Sequence, residues 1–183
     1  MSRGYTTVMK LVMVGDPGVG KTSLVARYVE GKFMKDYHLT VGLNVSSKTV
    51  QLSDDYGGIT VKISINDIGG QKRFQSLRSV FYRGAYLAML VYDVTRPRTL
   101  TNLQEMWFKE LLEYCDLDIP PVTLLVGNKA DLKDMMMVEE EEIKEAMKDM
   151  NSVMHIHTSA KDNINVTEAF VKLCEAYITK QKQ

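Results

Sequence analysis

The residues with the clearest chemistry lie near the start of the chain. Gly15-Asp16-Pro17-Gly18-Val19-Gly20-Lys21-Thr22 fits the spacing GxxxxGK[ST], and Ser23 follows directly. Glycines at these positions let the backbone curl until successive N–H groups face inward as a nest for phosphate. A helix starting at the end of such a loop adds its positive pole. Lys21 brings a mobile positive charge to the outer phosphates, and the Thr22 hydroxyl is a hard oxygen ligand for Mg2+. A dinucleotide loop needs GxGxxG, whereas these glycines fall as GxxGxG.

Two later groups concern the base. In Asn128-Lys129-Ala130-Asp131, the Asp131 carboxylate can accept two hydrogen bonds side by side. Guanine offers a matching pair of donors, its ring N1–H and its exocyclic amine. Adenine has an acceptor at N1 and would meet lone-pair repulsion there. Thr158-Ser159-Ala160-Lys161 supplies a loop whose backbone N–H can meet the guanine O6. The two groups, in this order and downstream of a phosphate loop, point to GTP and GDP.

These residues need strand ends to hold them, and the sequence provides them. Val8 to Val14, Tyr86 to Tyr92 and Val122 to Val126 are short, almost continuously apolar runs, as expected of parallel strands buried on both faces. Val153 to His157 reads as a further strand. Ile59 to Asn66 alternates apolar and polar residues, which indicates one wet face in an antiparallel edge region. With Leu43 to Leu52 and the turn at Asp54 to Gly58, it fits a hairpin. Helical faces recur between strands: Leu24, Val25, Tyr28 and Val29; Leu103, Trp107, Leu111 and Tyr114; Val166, Phe170, Leu173, Cys174, Tyr177 and Ile178. Glu139 to Glu142 reads as the acidic first turn of another helix. The expected fold is α/β, with a mostly parallel sheet of about six strands, one antiparallel strand, and helices on both faces.

Composition narrows the class. The chain has 183 residues, with 23 Lys plus Arg balanced by 23 Asp plus Glu. A net charge of zero argues against nucleic acid held by charge alone. Hydrophobic residues at 45% and charged residues at 25% describe a soluble globular chain. Cys115 and Cys174 lie far apart, so neither a disulfide scaffold nor a cysteine metal cluster is expected, and a reducing, cytoplasmic setting is.

With these motifs in order, the chain resembles a small GTPase of the Ras superfamily over nearly its whole length. The run Phe74 to Thr95 is most similar to the Rab branch, while the Asn102 to Trp107 spacing is more Rho-like. The resemblance implies one P-loop G domain over residues 1–183, with a core of about 8–178 and a short tail at 179–183. It implies switch I at about 34–42, carrying Tyr37 as a lid and Thr40 as a second Mg2+ ligand. It implies switch II at about 67–80: Asp67 on the metal, Gly70 on the γ-phosphate, and Gln71 orienting the attacking water. Phe33 corresponds to the aromatic at the guanine edge, although a core role is open to it.

Departures from the family accompany the match. Pro17 stands where a small residue is usual, and it either rigidifies the turn or hinders hydrolysis. Val45, Asn66 and Phe81 fall where Rab relatives carry an aromatic triad, so ordinary Rab effectors are not expected to bind. No arginine stands near Thr40 in sequence, which points to slow hydrolysis quickened by an activating protein. An exchange factor and state-dependent effectors are implied as partners, and the chain is expected to be monomeric. The tail TKQKQ offers neither a prenylation box nor a polybasic cluster, so no membrane anchor is expected. His155 and His157 share a strand face without a third metal ligand nearby. Two other readings stay open: a nucleotide-holding scaffold with little turnover, and a P-loop ATPase or nucleotide kinase.

Overall fold

The computed structural model describes residues 6–33, 40, 42–71, 74–115, 118 and 120–182. Among these, six strands form one sheet: β1 (Thr6–Val14), β2 (Leu43–Gln51), β3 (Thr60–Ile68), β4 (Leu87–Asp93), β5 (Val122–Asn128) and β6 (His155–Thr158). Their spatial order is β2-β3-β1-β4-β5-β6. β2 and β3 pair antiparallel, and every other neighbouring pair is parallel. The alternation in β3 does mark the antiparallel hairpin. The edge, however, is β2, and β3 lies one strand in, because its other side pairs with β1.

The helices are α1 (Lys21–Glu30), α2 (Gln75–Tyr82), α3 (Pro97–Asn102), α4 (Phe108–Tyr114), α5 (Glu140–Asp149) and α6 (Val166–Gln181). Two apolar layers flank the sheet. One joins Leu11, Ile63 and Met89 to Leu24, Tyr28 and Phe170, and so carries α1 and α6. Tyr28 and Phe170 stack there with ring centroids 3.9 Å apart. The other joins Val12, Leu90 and Tyr92 to Leu103, Trp107, Leu111 and Ala146, and so carries the remaining helices. β4 and β5 are buried at every residue, which is why their sequence shows no alternation. Cys174 is core, as its helical face implies. The acidic block caps α5: Glu139 and Glu142 exchange side-chain and backbone hydrogen bonds as a capping box.

One helix departs from regular expectation. Leu103–Trp107 forms a π-helical turn between α3 and α4. The residues of the expected apolar face still turn inward, but the widened turn shifts the helix phase between Asn102 and Trp107.

Candidate functional site

Strand register gathers the motifs at one end of the sheet. Met13 lies beside Asp67, Asp93 beside Asn128, and Asn128 beside Thr158. These are carboxyl ends of parallel strands, and the order turns back between β3 and β4 on either side of β1. A cavity of about 870 Å³ opens there. Its size suits a nucleotide.

At the phosphate end, the loop leaves β1 and enters α1 with Gly15, Gly18 and Gly20 all at positive φ. Gly20 cannot be replaced simply. Its φ is +98°, and a Cβ there would lie 2.3 Å from Asn128 Nδ2. Lys21 is buried, and its ammonium donates to the carbonyls of Gly15 at 2.7 Å and Asp16 at 2.9 Å. Burial lowers its pKa to about 8, against the raising influence of Asp67 and Asp16. Two of the three Lys21 N–H donors are used within the loop, which leaves one for an anionic ligand.

Three oxygens converge beside it. The Thr22 hydroxyl lies 2.5 Å from the Thr40 hydroxyl and donates to Asp67 Oδ2 at 2.5 Å. Asp67 Oδ1 is buried with no hydrogen-bond partner, and burial raises the carboxyl pKa. Hard oxygens crowded this closely, with the unsatisfied Asp67 Oδ1 on the same carboxylate, fit a small divalent cation such as Mg2+. Gly70 backs onto the loop: a Cβ on it would meet Pro17 N at 2.9 Å and Gly15 O at 3.0 Å. Pro17 is exposed at the mouth of the cavity. Gln71 also lines the cavity, and its side-chain Nε2 is buried without a partner.

At the base end, Asn128 ties three segments together. Its Nδ2 donates to the Val19 carbonyl at 2.9 Å, while its Oδ1 accepts from Thr158 Oγ1 at 3.2 Å and Ala160 N at 3.3 Å. Asp131 is held by the Ser159 hydroxyl at 2.6 Å and faces Lys161 Nζ at 3.7 Å. Lys129 adopts a left-handed φ of 71° and pairs with Asp93 at 2.6 Å. Phe33 lines the cavity and also packs against the first apolar layer. Tyr37 and most of residues 34–42 lie outside the described residues; Thr40 and Gly42 are within them.

Comparison with known proteins decides the family. The model of the Ras family matches residues 10–179. The chain is also similar to the Ras-related protein RABA1i of Arabidopsis thaliana, at 39% identity over 169 residues, covering 92% of this chain and 74% of that protein.

The chain belongs to the Ras family.

It is a Rab-like small GTPase, which binds guanine nucleotides and hydrolyses GTP. Regulators and effectors are the kinds of partner such a GTPase has. No described helix of the GTPase is long and apolar enough to cross a membrane.

Several residues around the candidate site were not singled out by motif reading. Burial favours the neutral form of Asp93, but hydrogen bonds from Lys129 and Thr95 outweigh it and hold the carboxyl below its usual range. Arg96 lines the cavity and donates to the same carboxylate at 2.9 Å. Asp16 accepts from Asn102 Nδ2 at 2.7 Å and Trp107 Nε1 at 2.6 Å. Arg78 is buried, pairs with Glu110 at 2.5 and 3.1 Å, and donates to the carbonyls of Gln71 at 2.9 Å and Gly69 at 3.3 Å. The Asn102–Trp107 spacing carried a trace of this network. Arg78, on an otherwise ordinary helix, carried none.

The positions matching the aromatic triad also diverge in place. Val45 is exposed, whereas Asn66 is buried and donates to the carbonyls of Leu11 and Ser64, both at 3.2 Å. Phe81 lies 5.7 Å beneath the Lys10 ammonium.

Proposed function

We propose that residues 1–183 act as a single G domain that alternates between GTP and GDP states with bound Mg2+, hydrolysing GTP slowly on its own. The observation that carries this reading is the convergence of Thr22, Thr40 and the half-unsatisfied Asp67 beside buried Lys21. In this reading, backbone N–H groups of Pro17-Gly18-Val19-Gly20 and the start of α1 at Lys21, Thr22 and Ser23 cradle the phosphates, except that Pro17 itself donates none. Thr22, Thr40 and Asp67 hold Mg2+, which when bound neutralises phosphate charge. Asp131 reads the guanine edge, Asn128 braces the loops, and Lys129 and Phe33 flank the base. Ser159, Ala160 and Lys161 close the far side.

Gly70 meets the γ-phosphate, and Gln71 orients the water; its unpartnered Nε2 supports that role. Loss of γ-phosphate would release Thr40 and Gly70, so that switch I, with the Tyr37 lid, and switch II present a different surface to effectors. Exchange and activating proteins would time the cycle, and a monomer acting in the cytoplasm suffices for it. Single-turnover hydrolysis tests this. Gln71→Leu should slow GTP cleavage at least about tenfold with GTP still bound. An unchanged rate would favour a nucleotide-holding scaffold instead.

A further inference from the structure

Arg27 belongs to none of the nucleotide motifs, yet its guanidinium is committed in three directions. Nε donates to the Ala160 carbonyl at 2.8 Å, and Nη2 donates to the Lys161 carbonyl at 2.9 Å. Nη1 donates to the Gly31 carbonyl at 2.8 Å, at the end of its own helix. The first two acceptors are consecutive carbonyls of the loop that follows β6, more than 130 residues away in sequence.

Carbonyl and N–H point in opposite directions across a planar trans peptide. Holding the Ala160 carbonyl therefore fixes the direction of the Lys161 N–H. Holding the Lys161 carbonyl fixes the Asp162 N–H, which donates to Ser159 Oγ at 3.0 Å. Ser159 in turn donates its hydroxyl proton to Asp131 Oδ1 at 2.6 Å. A continuous series of hydrogen bonds and rigid peptides thus runs from α1 to the carboxylate assigned to the guanine edge.

We propose that Arg27 is a positioning residue for base recognition: by gripping two adjacent carbonyls it sets the two peptides of Ala160–Asp162 and, through Ser159, the Asp131 carboxylate against the guanine. This rests on the guanine-binding reading above and deepens it. Arg27 is not among the residues that line the cavity. The planar fork suits the task because one rigid group spans two carbonyls, which a lysine ammonium cannot do with the same geometry. A simple tie between α1 and the loop would serve stability alone and would be indifferent to the base.

The experiment measures GDP and ADP affinities by competition, on the full chain with Mg2+, for the wild type, Arg27→Ala and Arg27→Lys. Loss of one or two net hydrogen bonds' worth of positioning should lower the GDP-to-ADP affinity ratio about tenfold in Arg27→Ala. GDP release should quicken by a similar factor, and Arg27→Lys should restore only part of the ratio. Equal weakening of GDP and ADP, or an unchanged ratio, would overturn the proposal. Should Arg27→Ala fold poorly, Arg27→Lys keeps the charge and stem, and its ratio decides by the same criterion. A wild type holding ADP as tightly as GDP would defeat the guanine reading and the proposal with it, and that result is read from the wild type alone.

Discussion

Trp107 donates its indole N–H to one carboxyl oxygen of Asp16 at 2.6 Å, while Asn102 holds the other at 2.7 Å. The two donors lie five positions apart in sequence. On a regular α-helix they would point about 140° apart. The π turn at Leu103–Trp107 absorbs the extra residue and brings both to the phosphate loop. Trp107→Phe keeps an aromatic, though smaller, side chain and removes the donor, leaving one of the two Asp16 carboxyl oxygens without its partner. The expected cost is about 1.5–3 kcal/mol in denaturant unfolding, with faster GDP release, because Asp16 lies within the loop. Unchanged stability would mean that the bond contributes little.

Glu110 is the sole carboxylate paired with Arg78 among the described ion pairs, and both side chains are buried. Glu110→Ala leaves a buried guanidinium uncompensated and should cost about 3–5 kcal/mol in denaturant unfolding. Arg78→Met combined with Glu110→Leu should recover much of that loss. The double variant still lacks the donors to the Gln71 and Gly69 carbonyls. Its single-turnover hydrolysis should therefore remain slower than wild type even where its stability is regained.

Acid should weaken the fold through β6. Burial, and secondarily His157, lowers the His155 pKa to about 4, while burial lowers that of His157 against the opposing charge of Glu140. The Tyr92 hydroxyl lies 3.1 Å from His155 Nε2, and the two imidazoles meet edge to face at 4.5 Å. The unfolded chain takes up protons near the ordinary histidine pKa of about 6.5. The folded chain does so only near 4 at His155, so the unfolded state binds more protons between these values. This stabilisation is complete above pH ~6.5 and is lost as pH falls toward 4. Thermal melts of the GDP-bound protein should show the decline, and His155→Gln should flatten it.

Much of the fold was legible because buried parallel strands and glycine-rich phosphate loops leave local signatures. β1, β4 and β5 appear as apolar runs, and Gly15 to Thr22 as a spacing. The base motifs were legible for the same reason, each being a few adjacent residues. Arg78, Glu110 and Arg27 were not, because each has a partner 32 to 134 residues away that only packing brings to it. Asn66 misled in another way. A polar residue in an alternating strand reads as surface, yet its amide is buried against the carbonyls of β1 and β3.

In the proposed reading, Asp131, three residues past the end of β5, selects guanine. Competition binding on Asp131→Asn tests it most directly. The carboxamide places a donor toward the exocyclic position, so GDP affinity should fall by at least about a hundredfold while xanthosine diphosphate affinity rises. A variant that still preferred GDP over xanthosine diphosphate as the wild type does would mean that Asp131 does not select the base.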